Sequence, residues 1–324
     1  PIASITGNVI PRDIALSATQ TDVDFGLEYD GSISGTLSQD VDGNGARATV
    51  DSAFAAGVTV TLTNAAGTKT FTTTTLADGT YSFANVLGDT WKISASPTDY
   101  TFSFGEGGTV SGSNVQVVVT SGATSFAGVN LGYKGIGKIK GKVVLDTNLT
   151  DGGQATSIDT PIGAGIKITL SGSAGFVTRE VLTNASGEYE ITDLAPYVYT
   201  VGVNTTAAGF PAGLLISFDP VHGTTSPANS VSLTVPTAMT PLTQKDFGYK
   251  GRGEVSGKIL VDLEGQGTYR STHGSFASSL TVTAKQGSTI KTTTTNGSGE
   301  YSFDSLSTGV WEIFIDTGDI PSGH

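Results

Sequence analysis

The sequence predicts an all-β protein made of tandem sandwiches, and three observations carry that prediction. Gly, Thr, Ser, Ala and Val dominate, and only 14% of residues are charged, the profile of half-buried strands joined by tight turns. Apolar residues alternate with polar ones over short runs, and no stretch sustains a helical period. One phrase occurs three times: residues 76–95, 183–203 and 295–315 align on Tyr81, Tyr189 and Tyr301, and ten positions later on Trp91, Tyr199 and Trp311. Internal repetition of this kind sets the architecture before any single element does.

Each repeat opens on a strand, Ser32-Ile33-Ser34-Gly35-Thr36-Leu37, Ile139-Lys140-Gly141-Lys142-Val143-Val144 and Val255-Ser256-Gly257-Lys258-Ile259-Leu260. A second alternating run follows at 58–62, 166–170 and 280–284. Asp78-Gly79, Ser186-Gly187 and Ser298-Gly299 then supply the positive-φ residue of a tight turn. The Tyr-x-Phe or Tyr-x-Ile that follows puts two large side chains on one face. After a short loop the next strand starts on Trp91, Tyr199 or Trp311 and alternates again. Aromatics on such faces are read as core. The repeats close on Val129-Asn130-Leu131-Gly132-Tyr133 and Lys245-Asp246-Phe247-Gly248-Tyr249, and the same closing phrase stands near the start as Val23-Asp24-Phe25-Gly26-Leu27.

The spacing of these phrases predicts the domain organisation. Gly35 to Gly141 is 106 residues and Gly141 to Gly257 is 116. Residues beyond Gly257 number 67, and 35 lead up to and include Gly35, together 102. The expectation is two complete sandwiches, 28–133 and 134–249, an incomplete one at 250–324, and its missing final strands at 1–27. Those strands would complete the 253–324 part of a neighbouring copy, or of a preceding stretch of a longer chain. The docking face would include Ile5, Val9, Ile14, Leu16, Val23, Phe25 and Leu27, meeting the face around Trp311.

The net charge of -12 argues against nucleic acid and anionic membrane partners, and no run approaches the ~20 apolar residues of a spanning helix. With no cysteine, neither disulfides nor thiolate metal sites are possible. His222, His273 and His324 stand singly, without ligand spacing or a partnered nucleophile, so no catalytic constellation emerges and no enzyme is expected. Sequons at Asn148, Asn184, Asn204 and Asn296 are as frequent as a Ser/Thr-rich chain produces by chance.

One loop carries cation chemistry. In residues 40–51, Asp40, Asp42 and Asn44 occupy positions 1, 3 and 5, Gly45 position 6 and Asp51 position 12. That is the oxygen-ligand spacing of a calcium loop, with Asp51 shorter than the usual closing Glu. The second repeat offers Asp146, Asn148, Asp151 and Asp159 at a broken spacing, and the third Asp262, Glu264 and Gln266, with His273 where an acid should close the loop.

The phrase D-G-x-Y-x-F-x-x-L-x-x-G-x-W/Y-x-I, the opening G-K-V-x-x-D and the closing D-F-G-Y resemble the B-type repeats of serine–aspartate repeat surface proteins. They are also similar to collagen-adhesin B-type and carboxypeptidase-regulatory-like domains. The resemblance covers essentially the whole chain. It implies prealbumin-like, immunoglobulin-type sandwiches in a linear array, an extracellular or cell-surface location, and a structural calcium ion in the loop after the first strand. It also implies a possible isopeptide cross-link, Lys142 to Asp246 within the second repeat and Lys258 to Asp24 between copies. Thr36 opposite Asn130 excludes the bond in the first. The expected function is a subunit of an extracellular filament built head to tail by strand complementation; the alternative is the stalk of a surface adhesin.

Overall fold

The computed structural model describes residues 31–120, 125–147, 155–262, 265–267, 274–275, 279–307, 309–315, 318 and 320. Every regular element among them longer than a single turn is a strand. The chain divides into two compact units: Pro1–Gln39, Gly45–Arg47 and Ser52–Tyr133 form one, and Asp40–Asn44, Ala48–Asp51 and Lys134–His324 form the other.

The first unit contains one two-sheet sandwich. In one sheet the opening strand Gly31–Gln39 pairs antiparallel with Thr80–Val86, setting Gly35 opposite Tyr81. On its other side it pairs parallel with the closing strand Leu131–Gly135, in the register Leu37 to Leu131, Ser38 to Gly132 and Gln39 to Tyr133. The facing sheet runs in the order Thr70–Thr74, Thr59–Asn64, Asp89–Ala95, Asn114–Val119, Thr109–Ser111. Ile33, Leu37, Val60, Leu62, Trp91, Ile93, Val115 and Leu131 form the core between the sheets. The period-two alternation places these side chains inward, where burial of apolar surface holds the layers together.

The second unit contains a sandwich of the same plan. Gly137–Leu145 pairs with Glu188–Leu194 and, in parallel, with the closing strand Phe247–Gly251, matching Val143 to Phe247, Val144 to Gly248 and Leu145 to Tyr249. Its second sheet is ordered Arg179–Leu182, Lys167–Ser171, Tyr197–Val203, Ser230–Val235.

The described residues from 253 onward, also in the second unit, repeat the first part of the plan. Gly253–Lys258 pairs with Glu300–Leu306, and Thr281–Gln286 lies between Thr289–Thr294 and Glu312–Ile315. Among the described residues no closing strand lies beside Gly253–Lys258 and no outer strand beside Glu312–Ile315. Burial follows. Ile33 and Ile139 are fully buried, whereas their counterpart Val255 is half-exposed. Trp91 is 1% and Tyr199 0% exposed, while Trp311 is only partly covered at the edge of a small core of Val282, Ala284, Phe303 and Leu306.

Candidate metal centre and the strand-receiving groove

The turn after the opening strand builds the acidic loop. Gly43 and Gly45 adopt φ of 66° and 74°, a left-handed region that glycine enters without strain. This winds the chain tightly enough for carboxylate oxygens of Asp40, Asp42 and Asp51 to lie within 4.8 Å of one another. Asp40 and Asp42 are fully buried. The Asp51 carboxylate is fixed by the main-chain N–H groups of Val41 (3.0 Å) and Ala48 (2.8 Å). Asn44 donates its main-chain N–H to Asp40 and Asp42 and its amide to Asp42 Oδ2 at 2.9 Å. Within the same unit, Val177 N–H reaches Asp42 Oδ2 (3.0 Å) and Tyr199 Oη donates to Val41 O (3.1 Å).

Burial, reinforced by Asp40, raises the Asp42 carboxyl above its ordinary pKa, and burial with Asp40 and Asp42 does the same at Asp51. Such an arrangement is unfavourable unless a proton or a cation shares it. The donor set is all oxygen, hard and anionic, which fits a calcium ion and does not fit a soft transition metal.

The second loop reuses the frame. Asp159 takes the N–H groups of Thr147 (3.1 Å) and Thr156 (2.9 Å), the counterparts of the two bonds at Asp51. Asp146 is buried and accepts the Ser217 hydroxyl. Asn148 and Asp151 lie outside the described residues. In the third loop Asp262 is exposed and caps its own turn through Gly267 N–H at 2.7 Å; Glu264 and His273 lie outside the described residues, as does His324. His222 Nδ1 lies 2.9 Å from the buried Asp219, which also receives the N–H groups of Val221, His222 and Ala228. This is a loop brace, not a metal set.

A second set of contacts joins the opening and closing strands. Tyr81 Oη donates to Val129 O and Tyr189 Oη to Lys245 O. The side chain after each acceptor binds back: Asn130 Oδ1 takes Thr36 N–H (3.0 Å) and Asp246 Oδ1 takes Lys142 N–H (2.8 Å). The approach is so close that a Cβ on Gly35 would lie 1.8 Å from Val129 O, and one on Gly141 2.0 Å from Lys245 O. The sequence marked the tyrosines as core; their hydroxyls also anchor the closing strand.

The same geometry bears on Lys142 and Asp246, the pair that the resemblance offers for a cross-link. Alternation along Gly137–Leu145 turns Lys142 outward, where its Nζ lies 3.3 Å from Glu188 Oε1. The Asp246 carboxyl faces inward onto the Lys142 main chain instead. Lys258 is exposed, and its expected partner Asp24 lies outside the described residues, as do Ile5, Val9, Ile14, Leu16, Val23, Phe25 and Leu27.

In the third sandwich the counterparts of these groups have no closing strand beside them among the described residues. Gly257 stands opposite Tyr301, and the atoms nearest a Cβ there belong to the Tyr301 ring, not to a main-chain carbonyl. Ile259, Leu260, Val261, Leu280, Ile315 and Ile320, with Asp262, line a cavity of about 300 Å³, whereas in the complete sandwiches Leu37, Ser38, Val143 and Val144 are buried.

Residues 31–133 match the SdrD B-like domain. The serine-aspartate repeat-containing protein D of Staphylococcus aureus (strain MW2) is 27% identical over 274 residues, 80% of this chain and 19% of that protein. Protein E of the same name, from S. aureus (strain Newman), is 28% identical over 271 residues, 81% of this chain and 22% of that one. The chain thus spans about a fifth of the length of these relatives. Among solved structures, the Bacillus anthracis TIE protein aligns with a TM-score of 0.38 at 12% identity, over 89% of this chain and 45% of its own. The Streptococcus agalactiae minor pilin GBS52 aligns with a TM-score of 0.28 at 12% identity, over 69% and 97%. The first sandwich therefore matches the SdrD B-like domain, and the resemblance to serine–aspartate repeat proteins extends over 80% of the chain.

Proposed function

We propose that this chain is a structural subunit of an extracellular, cell-surface filament, extended head to tail when the third sandwich of one copy receives residues 1–27 of the next. The observation that carries this reading is the retained groove: Gly257, Tyr301 and the Ile259–Val261 wall repeat the groups that hold the closing strand in the two complete sandwiches. An open sheet edge of this kind is a template for strand addition, and a repeated head-to-tail contact gives an open fibre. The register follows from the complete sandwiches. Phe25 pairs with Ile259, Gly26 with Leu260 and Leu27 with Val261; Tyr301 donates to Val23 O and Asp24 accepts Lys258 N–H.

The test is assembly. A chain lacking residues 1–27 should keep two sandwiches folded, lose order in the third and form no polymer, and added 1–27 peptide should restore the third sandwich while blocking growth. Normal assembly of the shortened chain would overturn the proposal. The short span relative to the serine–aspartate repeat proteins favours a second reading, in which the strands come from a preceding stretch of the same longer chain and the array is a stalk. In that case the peptide still binds, but the longer chain stays monomeric in sedimentation.

Calcium in the 40–51 loop is the second part of the proposal, with Asp40, Asp42, Asn44 and Asp51 as the holders. Its role is structural: it neutralises three clustered carboxylates and stiffens the loop. An ion present at about 100 times its Kd adds about 2.7 kcal/mol to stability. Thermal melting with calcium and with chelator should show a shift that Asp42→Asn largely removes, since the amide keeps the acceptor for Val177 N–H but loses the charge. The third sandwich should show little shift. An equal response in the variant would remove calcium from this loop.

A further inference from the structure

We infer that the first sandwich carries, around Phe71, the seat for the third sandwich of a second copy, with Gly265 of that copy lying over the Phe71 ring. This rests on the filament reading and adds a second contact beside the strand. The argument starts from a position that the three repeats share. Phe71, Arg179 and Lys291 each stand ten residues before Tyr81, Tyr189 and Tyr301. Each lies on the outer strand of the same hairpin, opposite Leu62, Leu170 and Ala284 respectively.

At two of the three positions the second unit shows what the seat receives. Arg179 Nη2 donates to Thr192 O at 2.8 Å, and its Nη1 is buried with no hydrogen-bond partner among the described residues. Nη1 would lie 3.0 Å from a Cβ on Gly43, in the acidic loop whose Asp42 takes Val177 N–H. Lys291 makes the equivalent bonds, to Ser305 O at 3.2 Å and Asp304 O at 3.5 Å. Burial draws its ammonium below the ordinary pKa while Asp304 and Asp146 act against that, so it feels the first acid of the second loop. Arg179 thus sits under the loop that follows the opening strand of the preceding sandwich, and Lys291 holds the equivalent hairpin position with the charge of Asp146 acting on it.

The third position completes the series differently on both sides. Phe71 replaces the cation; it is 52% exposed and its inner face rests on Trp91, with ring centres 5.7 Å apart. The loop that would meet it in a head-to-tail array is the third one, and there Asp262 is exposed and engaged with its own turn. Two of its glycines match in φ: Gly265 and Gly267 have 63° and 64°, as Gly43 and Gly45 have 66° and 74°. A Cβ on Gly265 would meet no described atom within 4 Å, whereas one on Gly43 meets Arg179. An acidic loop meets a cation at Arg179, and the charge of the next loop's Asp146 acts on the matching Lys291. The less acidic loop and the apolar seat are the two left over, and they match each other.

Two measurements on the full-length chain test this. Amide exchange at Thr70, Phe71 and Thr72 should slow when dilute chains assemble; identical exchange in free and assembled chains would overturn the inference. Phe71→Asp should raise the concentration needed for assembly about tenfold, while Phe71→Leu changes it little. Below that concentration both variants should bind the 1–27 peptide as the unaltered chain does, because the peptide groove is on the other end of the molecule's sequence. Unchanged assembly by Phe71→Asp overturns the seat. Failure of the unaltered chain to bind the peptide instead overturns strand complementation, so the two failures are distinguishable.

Discussion

Gly141→Ala should unfold the second sandwich under conditions where Gly257→Ala leaves the third almost unchanged. In the closed sandwich the new methyl would lie 2.0 Å from Lys245 O, inside contact distance of a main chain that is held on both sides. Lys245 O is the acceptor of Tyr189 Oη, and Asp246 is bonded to Lys142 N–H, so neither strand can retreat without breaking a buried bond. Overpacking with loss of such a bond costs about 3 kcal/mol. At Gly257 the nearest atom is Tyr301 Oη at 2.5 Å, the tip of a half-exposed side chain that can swing aside. Gly257→Ala in the free chain should therefore cost about 1 kcal/mol or less, yet stop polymer growth, because the arriving Val23 carbonyl would meet the methyl as Lys245 O does. Equal destabilisation of the two variants by thermal melting would show that the close approach is not what fixes glycine at these positions.

That glycine illustrates how far the residues could be read before the fold was known. The repeated phrase was legible because period-two alternation, a Gly turn and large aromatics are local signals, and the structure places Tyr81, Trp91, Tyr189 and Tyr199 in the core as expected. The acidic loop was visible for the same reason: its carboxylates lie within twelve positions, and Asp40, Asp42 and Asp51 do converge. What the residues could not show was long-range. Lys142 opposite Asp246 has the residue types of a cross-link, but the strand period turns the amine to solvent. The hairpin position of Phe71, Arg179 and Lys291 carried no local signal, since a charge on a short outer strand reads as a solvated face. Only aligning the repeats on their tyrosines, ten residues downstream, makes the substitution of an aromatic for two cations visible.

Trp91→Ala should be among the most damaging single changes in the chain, and Trp311→Ala should be mild until the strand arrives. Both indoles make the same local bond, Nε1 to Leu87 O and to Ser307 O, each at 2.9 Å. They differ only in what covers them. Trp91 is enclosed by two sheets, paired across from Asn64 and Val117, and truncating a wholly buried Trp costs about 3–5 kcal/mol. Trp311 is partly covered, so its removal from the free chain should cost about 1–2 kcal/mol. If residues 1–27 supply the missing outer strand and cover the indole, the bound state must regain the difference. Linkage then requires the variant to bind the peptide more weakly by the same amount, about 2 kcal/mol or roughly thirtyfold in Kd. Calorimetric titration of the chain lacking residues 1–27 would measure this directly. A Kd that ignores Trp311→Ala would mean that the strand docks without closing the third core, and the filament would then be held by the opening strand's edge alone.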